Sequence, residues 1–252
     1  MSFRALLRGA RPFAVAHRGG AAEAPENTLA AFRAAIAAGY PWVEFDVRAA
    51  ADGTPWVVHD EALPWPDGVE RPVASLGVAD LTRFDLAAHL GPAAAGESPP
   101  SLDAALALPW GAVRWMVEVK PTADDRGLGA ETVRRCLRVR PPDGFVVASF
   151  SPDVLAGAAG VANVPLMALL DGDLMPQAFR GLSLAAWGPD RRLVGPDFLR
   201  SLPDDLPLWS WTVKDLAEAP PLLKAGVRGL ISDVPGRLRA FLDATEGVKR
   251  LF

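Results

Sequence analysis

Short apolar runs alternate with amphipathic segments along this chain. The runs Phe13–Ala16, Trp42–Val47, Pro55–Val58, Trp115–Val119, Phe145–Ser149, Leu166–Leu170, Leu182–Ala186, Leu208–Trp211 and Gly229–Ser232 predict strands of 4–6 residues. Several are apolar nearly throughout, as strands buried on both faces are. Residues 27–38 carry helix chemistry. Asn27 or Thr28 can cap the start, Leu29, Phe32 and Ile36 share one face, and Gly39 provides the stop. Strand alternating with helix predicts a parallel α/β fold.

Nine runs are one too many for an eight-stranded (β/α)8 TIM barrel, and spacing picks out the extra one. A parallel crossover needs about a dozen residues, whereas Val47 and Trp56 are close in sequence. Between them lies Asp52-Gly53, a two-residue hairpin signal. Pro55–His59 is therefore expected to return antiparallel, with paired residues summing to 105 and His59 opposite Asp46. From 61 to 100 the chain is rich in proline and glycine, and only 78–90 reads as helical. This stretch is expected to be a small insertion, after which Ser101 caps a new helix. The expectation is one barrel domain over 1–252, with a short antiparallel hairpin arm and the insertion at 61–100.

Composition narrows the chemistry. The 252 residues carry 26 Lys and Arg against 30 Asp and Glu, a net charge of −4, which argues against nucleic acid as a partner. With one cysteine, Cys136, there is no internal disulfide and no cysteine-based zinc cage. Cys136 reads as an inert core residue. Three histidines exclude a histidine-rich metal site, so any metal must sit mainly on carboxylates. Every apolar stretch near the start contains an arginine, with no signal-peptide core. The longest uncharged run, residues 154–170, is broken by Pro165, Asn163 and two glycines, so no transmembrane segment is expected. A cytoplasmic protein is the resulting expectation.

The polar residues that matter fall at strand ends, where a (β/α)8 barrel builds its site. His17 and Arg18 end the first strand. Glu44 and Asp46, two apart and so on one face, end the second, while Glu118 and Lys120 do the same further on. His59 and Asp60 end the arm. Glu44, Asp46 and Glu118 make a hard oxygen site suited to Ca²⁺ or Mg²⁺. Two histidines can exchange protons near neutral pH, and Arg18 and Lys120 can hold a phosphate. Together these describe metal-assisted phosphodiester hydrolysis. Singly, each has an ordinary reading: His17 as a hydrogen-bonded structural histidine, the carboxylates as partners of Arg18, Arg48 or Lys120, Asp60 as a turn cap or as the residue orienting His59. His89, among Ala and Leu in the insertion, reads as lying apart from the chemistry. The joint occurrence at successive strand ends favours a site.

At these residues the chain resembles the glycerophosphodiester phosphodiesterase family. The resemblance runs through AHRGG at 16–20, PENT at 25–28, VEFDVR at 43–48, the DG turn at 52–53 and VVHD at 57–60. It continues with DLT at 80–82, SLDAAL at 101–106, VEVK at 117–120, SFSP at 149–152, WSWTV at 209–213 and GVRGLISDVP at 226–235. The combination of HRG, PENT, E-x-D and HD is specific; the C-terminal pieces are weak singly. The resemblance implies a (β/α)8 barrel and one divalent cation, Ca²⁺ or Mg²⁺, on Glu44, Asp46 and Glu118. It implies His17 and His59 as the general acid/base pair and Arg18 and Lys120 on the phosphate. Trp211 and Phe150 would border the glycerol or the leaving alcohol, Glu26 would orient Arg18 or its loop, and Asn27 and Thr28 would start the helix. Departures from the family pattern are Ser232 in place of Thr, Lys214 in place of Asn, and the apolar Pro64-Trp65-Pro66 after the HD motif.

Three functions compete at this point. The first is metal-dependent hydrolysis of a small-molecule glycerophosphodiester to sn-glycerol 3-phosphate and an alcohol. The second is a related phosphodiesterase that acts on lysophospholipids or forms a cyclic phosphate, with an apolar insertion serving an acyl chain. The third, a non-catalytic phosphate binder, is disfavoured because no histidine or carboxylate of the set is missing.

Overall fold

The computed structural model describes residues 11–65 and 67–249, so the reading of residues 1–10 and of Pro66 lies outside the described residues. Eight parallel strands form the barrel: β1 (Phe13–Ala16), β2 (Trp42–Ala49), β6 (Arg114–Val119), β7 (Phe145–Ser149), β8 (Leu166–Leu170), β9 (Ala186–Pro189), β10 (Trp209–Val213) and β11 (Gly229–Ser232). Their spatial order is β10-β11-β1-β2-β6-β7-β8-β9, and parallel bridges from Trp187 to Leu208 and from Asp190 to Trp211 close the ring.

The connecting helices follow their local chemistry. Helix α1 (Leu29–Ala38) is capped by Thr28, whose side chain accepts from Ala31 N, and ends at Gly39 in the left-handed conformation. Asn27 does not cap; its side chain is used elsewhere. Within the stretch expected as one helix, α2 (Val78–Arg83) and α3 (Ala87–Leu90) are separated by extended backbone at Phe84. Ser101 caps α4 (Leu102–Leu106), as its sequence predicts. The remaining helices are α5 (Asp125–Val139), α6 (Pro152–Ala159), α7 (Pro196–Ser201), α8 (Ala219–Lys224) and α9 (Pro235–Lys249). Cys136 is fully buried on α5, and burial pushes its thiol up to about 12.

Inside the barrel, side chains alternate with those facing the helices. Phe13, Trp42 and Trp209 plug the end where the strands begin, with the two indoles edge-on at 4.8 Å between centroids. Above them Val15, Met116, Val146, Met167, Leu169 and Ile231 fill the interior. Polar residues begin only above that layer.

Two expectations need correction. The run at 182–186 was expected as a strand, but β9 starts at Ala186 and continues through Gly188 and Pro189. The inward side here must be small: a Cβ on Gly188 would sit 2.6 Å from Leu169 Cδ2. A Gly-Pro pair reads as a breaker in sequence although the packing requires it. The hairpin arm β3 (Pro55–Val57) does return antiparallel on β2, but one residue out of the expected register. Val47 faces Val57, and Arg48 faces Trp56. The connection is a three-residue loop with Gly53 left-handed at φ 79°, closed by Ala50 N to Thr54 O at 2.8 Å. Asp46 O therefore accepts from Val58 N, at 3.2 Å, and His59 lies one residue beyond. A one-residue slip reverses the face that a strand residue presents; His59 is past the end of β3, and its loop turns the ring back.

The segment between β3 and Ser101 also holds a small antiparallel pair, β4 (Ala62–Pro64) and β5 (Glu70–Pro72), which the proline-rich sequence conceals. Leu63, Val73, Leu76, Leu81, Phe84 and Leu86 form a separate apolar cluster there, and Trp65 packs on Phe84 under the Arg71 guanidinium.

Candidate active site

The site is assembled where the strands end. After β1 the chain passes through three consecutive residues with positive φ: Arg18 (51°), Gly19 (87°) and Gly20 (104°). Only glycine fits at 19, because a Cβ would lie 2.8 Å from Ala31 Cβ. Arg18 carries the strain, about 1–2 kcal/mol for a non-glycine residue. It is held there from both sides. Its N–H donates to Glu44 Oε2 at 2.8 Å, and its carbonyl accepts from Asn27 N at 2.9 Å.

Glu44, Asp46 and Glu118 each offer an oxygen within 4.8 Å of the others, and all three are buried. The register of β2 on β6 accounts for this, since Asp46 and Glu118 are directly paired. Asn27 donates its amide to Asp46 Oδ2 at 2.8 Å and accepts from Asp46 N. Arg18 pairs with Glu26 at 2.6 Å and with Asp46 at 3.3 Å. Lys120 pairs with Glu118, and its Nζ lies 2.8 Å from Asp46 Oδ1, outside hydrogen-bonding geometry.

Burial pushes the Glu44 carboxyl well above the usual carboxylate range, and Asp46 and Glu118 push it further; Arg18 only partly opposes them. Burial acts against the Asp46 carboxylate too. There Lys120 and Arg18, with His59 and His17 beyond them, hold the carboxyl well below its usual range. Four carboxylates, Glu26, Glu44, Asp46 and Glu118, thus face two basic side chains, Arg18 and Lys120. Glu44 Oε1 is buried with no hydrogen-bond partner, a costly state for a carboxylate oxygen. The clustered carboxylate oxygens and this orphaned oxygen fit a divalent cation on hard oxygen ligands.

Each strand-end histidine has a carboxylate on Nδ1. His17 Nδ1 is 2.5 Å from Asp233 Oδ1, and His59 Nδ1 is 2.6 Å from Asp60 Oδ1. Both carboxyls are partly buried, which opposes ionisation, but the imidazole contacts hold both below the usual range. His17 Nε2 is 3.9 Å from Glu44 Oε2. Arg48 Nε donates to the His59 carbonyl at 2.7 Å and fixes that backbone.

These side chains surround one cavity of about 190 Å³, lined by His17, Arg18, Glu44, His59, Glu118 and Lys120, with Met116, Leu169 and Ile231 below. Phe150 and Trp211 form its aromatic wall, edge to face at 5.5 Å, and Trp211 Nε1 donates to Gly188 O. A larger depression of about 660 Å³ lies at the other end of the barrel, between Leu199 and Arg228, and contains none of these residues.

Every residue expected at the site from sequence is thus at or beside this cavity. Glu26 is on Arg18, Asp60 on His59, and Asn27 on Asp46 rather than on the helix end. Sequence reasoning missed three contributors. Asp233 follows directly on the last strand, and that place at a strand end is the signal that could have found it. Arg48 acts through a main-chain contact that no pattern announces. His89 was set apart, yet its Nε2 lies 2.9 Å from Asp60 Oδ2.

Comparison with known proteins agrees with this geometry. The model of the glycerophosphoryl diester phosphodiesterase family matches residues 17–237. A glycerophosphodiester phosphodiesterase of Caldanaerobacter subterraneus subsp. tengcongensis is 25% identical over 236 residues, covering 89% of this chain and 95% of that protein. Among solved structures, a Silicibacter pomeroyi protein provisionally named a glycerophosphoryl diester phosphodiesterase is similar at TM-score 0.83 and 27% identity, covering 95% of this chain and 96% of that one. An Oleispira antarctica phosphodiesterase, solved with its product sn-glycerol-3-phosphate, is similar in fold at TM-score 0.82 and 24% identity, covering 96% of this chain and all of that one. With a strand-end acidic triad, two carboxylate-bound histidines and a family match across nearly the whole barrel, this chain belongs to the glycerophosphoryl diester phosphodiesterase family.

Proposed function

We propose that this protein hydrolyses small glycerophosphodiesters to sn-glycerol 3-phosphate and an alcohol, using one divalent cation, Ca²⁺ or Mg²⁺, and two histidines. The observation that carries the reading is the buried triad of Glu44, Asp46 and Glu118, with its unpartnered Glu44 oxygen, two of whose members, Glu44 and Glu118, line the cavity that His17 and His59 share. When bound there, the cation would neutralise phosphate charge and lower the pKa of an attacking oxygen.

The remaining chemistry belongs to side chains. Arg18 and Lys120, at the cavity wall, bring positive charge to the phosphate. Asp233 and Asp60 take up Nδ1 of His17 and His59, which leaves each Nε2 to exchange a proton with substrate. His17 serves as the first acid and protonates the leaving alcohol; His59 serves as the first base. If the glycerol 2-hydroxyl attacks first, it closes a cyclic phosphate, and the histidines exchange roles when water opens the ring. Phe150 and Trp211 border the glycerol or the leaving group.

The alternative, an acyl-chain substrate, rested on an apolar insertion. Among the described residues of the insertion, Trp65 and the large apolar residues from Leu63 to Leu86 other than the exposed Val69 and Val78 pack in their own cluster, which weakens the support for that reading. Among the described residues no helix is long and apolar enough to cross a membrane. A cytoplasmic location and the absence of a nucleic-acid partner, the latter in line with the net charge of −4, complete the proposal.

Product analysis by ³¹P NMR over glycerophosphocholine, glycerophosphoethanolamine, glycerophosphoglycerol and a lysophospholipid tests it. The expected product is sn-glycerol 3-phosphate from at least one of the first three. Cleavage of the lysophospholipid alone, or a cyclic phosphate as the end product, would replace this reading with the alternative.

A further inference from the structure

We propose that His89 is a positioning residue for His59, acting through Asp60, so that the segment between β3 and Ser101 completes the active site. The inference rests on the proposed role of His59 in proton transfer. It starts from a chain of two contacts: Asp60 Oδ1 is 2.6 Å from His59 Nδ1, and Asp60 Oδ2 is 2.9 Å from His89 Nε2. One oxygen of the carboxylate is thus hydrogen-bonded to His59, and the other lies at ion-pair distance from His89.

Asp60 needs such a restraint. Its side chain is 41% exposed, and its only ion pairs among the described residues are with these two histidines. A half-exposed carboxylate on a loop has rotational freedom that one hydrogen bond does not remove. The ion-pair contact with His89 limits the rotation of that carboxylate, and the carboxylate in turn sets the tautomer and ring angle of His59. Carboxylate partners orient imidazole ligands and bases in this way generally.

His89 can supply the restraint because its own place does not depend on Asp60. Helix α3 is tied at its start by Leu86 N to Glu97 O at 2.8 Å and by Ala87 N to Asp85 Oδ1 at 2.9 Å. Leu86 is buried in the same apolar cluster as Leu63, and Leu63, Leu86 and Leu90 line the narrow gap that His89 shares with Asp60 and His59. The His59 main chain is separately fixed by Arg48. Loss of His89 would therefore loosen the His59 ring and leave the loop in place.

Imidazole ¹⁵N–¹H correlation spectra of the full chain, which has three histidines, read His59 directly. In the unsubstituted protein His59 should show one tautomer, protonated at Nδ1. His89→Ala should convert it to a mixture of tautomers, whereas His89→Gln, which can still donate to Asp60, should retain the single form. With glycerophosphocholine or glycerophosphoethanolamine and Ca²⁺ or Mg²⁺, His89→Ala should lower kcat about tenfold with little change in KM, and His89→Gln should recover most of the loss. An unchanged His59 spectrum in folded His89→Ala overturns the proposal, as does an unchanged kcat or a Gln variant as impaired as Ala. If the unsubstituted protein cleaves neither diester, the proposed activity on them fails, and the His59 spectrum still decides the role of His89.

Discussion

His17 Nδ1 and Asp233 Oδ1 lie 2.5 Å apart, although the two residues are 216 positions apart in the chain. The two residues extend β1 and β11, which pair in parallel with Ala16 beside Ser232. Closing the barrel is what brings the carboxylate to the imidazole.

Asp233→Asn tests whether that contact sets the tautomer. An amide can donate to Nδ1 and so hold the proton on the wrong nitrogen. The expected outcome is a loss in kcat of about 10²–10⁴-fold, the usual range for a general acid or base, with cation affinity nearly unchanged. Steady-state kinetics beside calorimetric Ca²⁺ titration check it.

Glu44 makes the stability of the metal-free protein depend on pH with a definite sign. A carboxyl whose folded pKa is raised favours the folded state at low pH, and that contribution is lost as pH rises through the raised value. Asp46 is shifted the other way, so its contribution is lost only as pH falls below the ordinary value of about 4. Above that, Glu44 is the carboxylate of this pair that acts. In EDTA, Tm should fall as pH rises from the ordinary carboxylate range through the raised Glu44 value. Added Ca²⁺ or Mg²⁺ should suppress the fall, and Glu44→Gln should remove it. Scanning calorimetry at a series of pH values reads all three arms.

Asn27 and Thr28, adjacent in sequence, should fail differently. Thr28→Ala removes a helix cap and the hydroxyl's bond to Pro25 O, and should cost about 1–2 kcal/mol, a Tm loss of roughly 2–8 °C in a chain of this size, with cation affinity intact. Asn27→Ala strips a buried donor from Asp46 and should cost about 1–3 kcal/mol and weaken cation binding as well. Equal cation affinity in the two variants would show that Asn27 does not organise the triad.

The contrast between these neighbours also shows how far the sequence was legible. Strand-end carboxylates two residues apart, as at Glu44 and Asp46, declare a shared face through the period of the strand, so the triad could be read directly. The barrel was legible for the same reason, because apolar runs mark strands such as Phe145–Ser149 to the residue. Asn27 reads as a cap, since Asn is if anything a better cap than Thr, and it is the positive φ of Asn27, 57°, that marks its departure from a cap conformation. The hairpin register failed by one residue because Asp-Gly serves both a two-residue turn and a three-residue loop with glycine last. His89 was illegible for a different reason: its partner lies across a fold that only the packing of Leu63 and Leu86 defines.

The division of labour between His17 and His59 is open to a leaving-group comparison. Nitrophenolate departs with little need of a proton, whereas an alkoxide requires one. His17→Ala should therefore cost far more with an alkyl diester than with a nitrophenyl diester, and His59→Ala should be severe with both. Equal losses for His17→Ala in a chemistry-limited step would remove it from the acid role.

Metal dependence of glycerol phosphate release is the most direct test of the whole site. With glycerophosphocholine or whichever diester the panel selects, turnover should cease when EDTA strips the protein and return on adding Ca²⁺ or Mg²⁺. Folded Glu44→Gln, Asp46→Asn and Glu118→Gln should each need far more cation to reach half their maximal rate, a shift at least as large as the roughly 10–100-fold that loss of an outer-shell partner costs. Full turnover by metal-free protein, or by these variants without added cation, would contradict a cation on Glu44, Asp46 and Glu118.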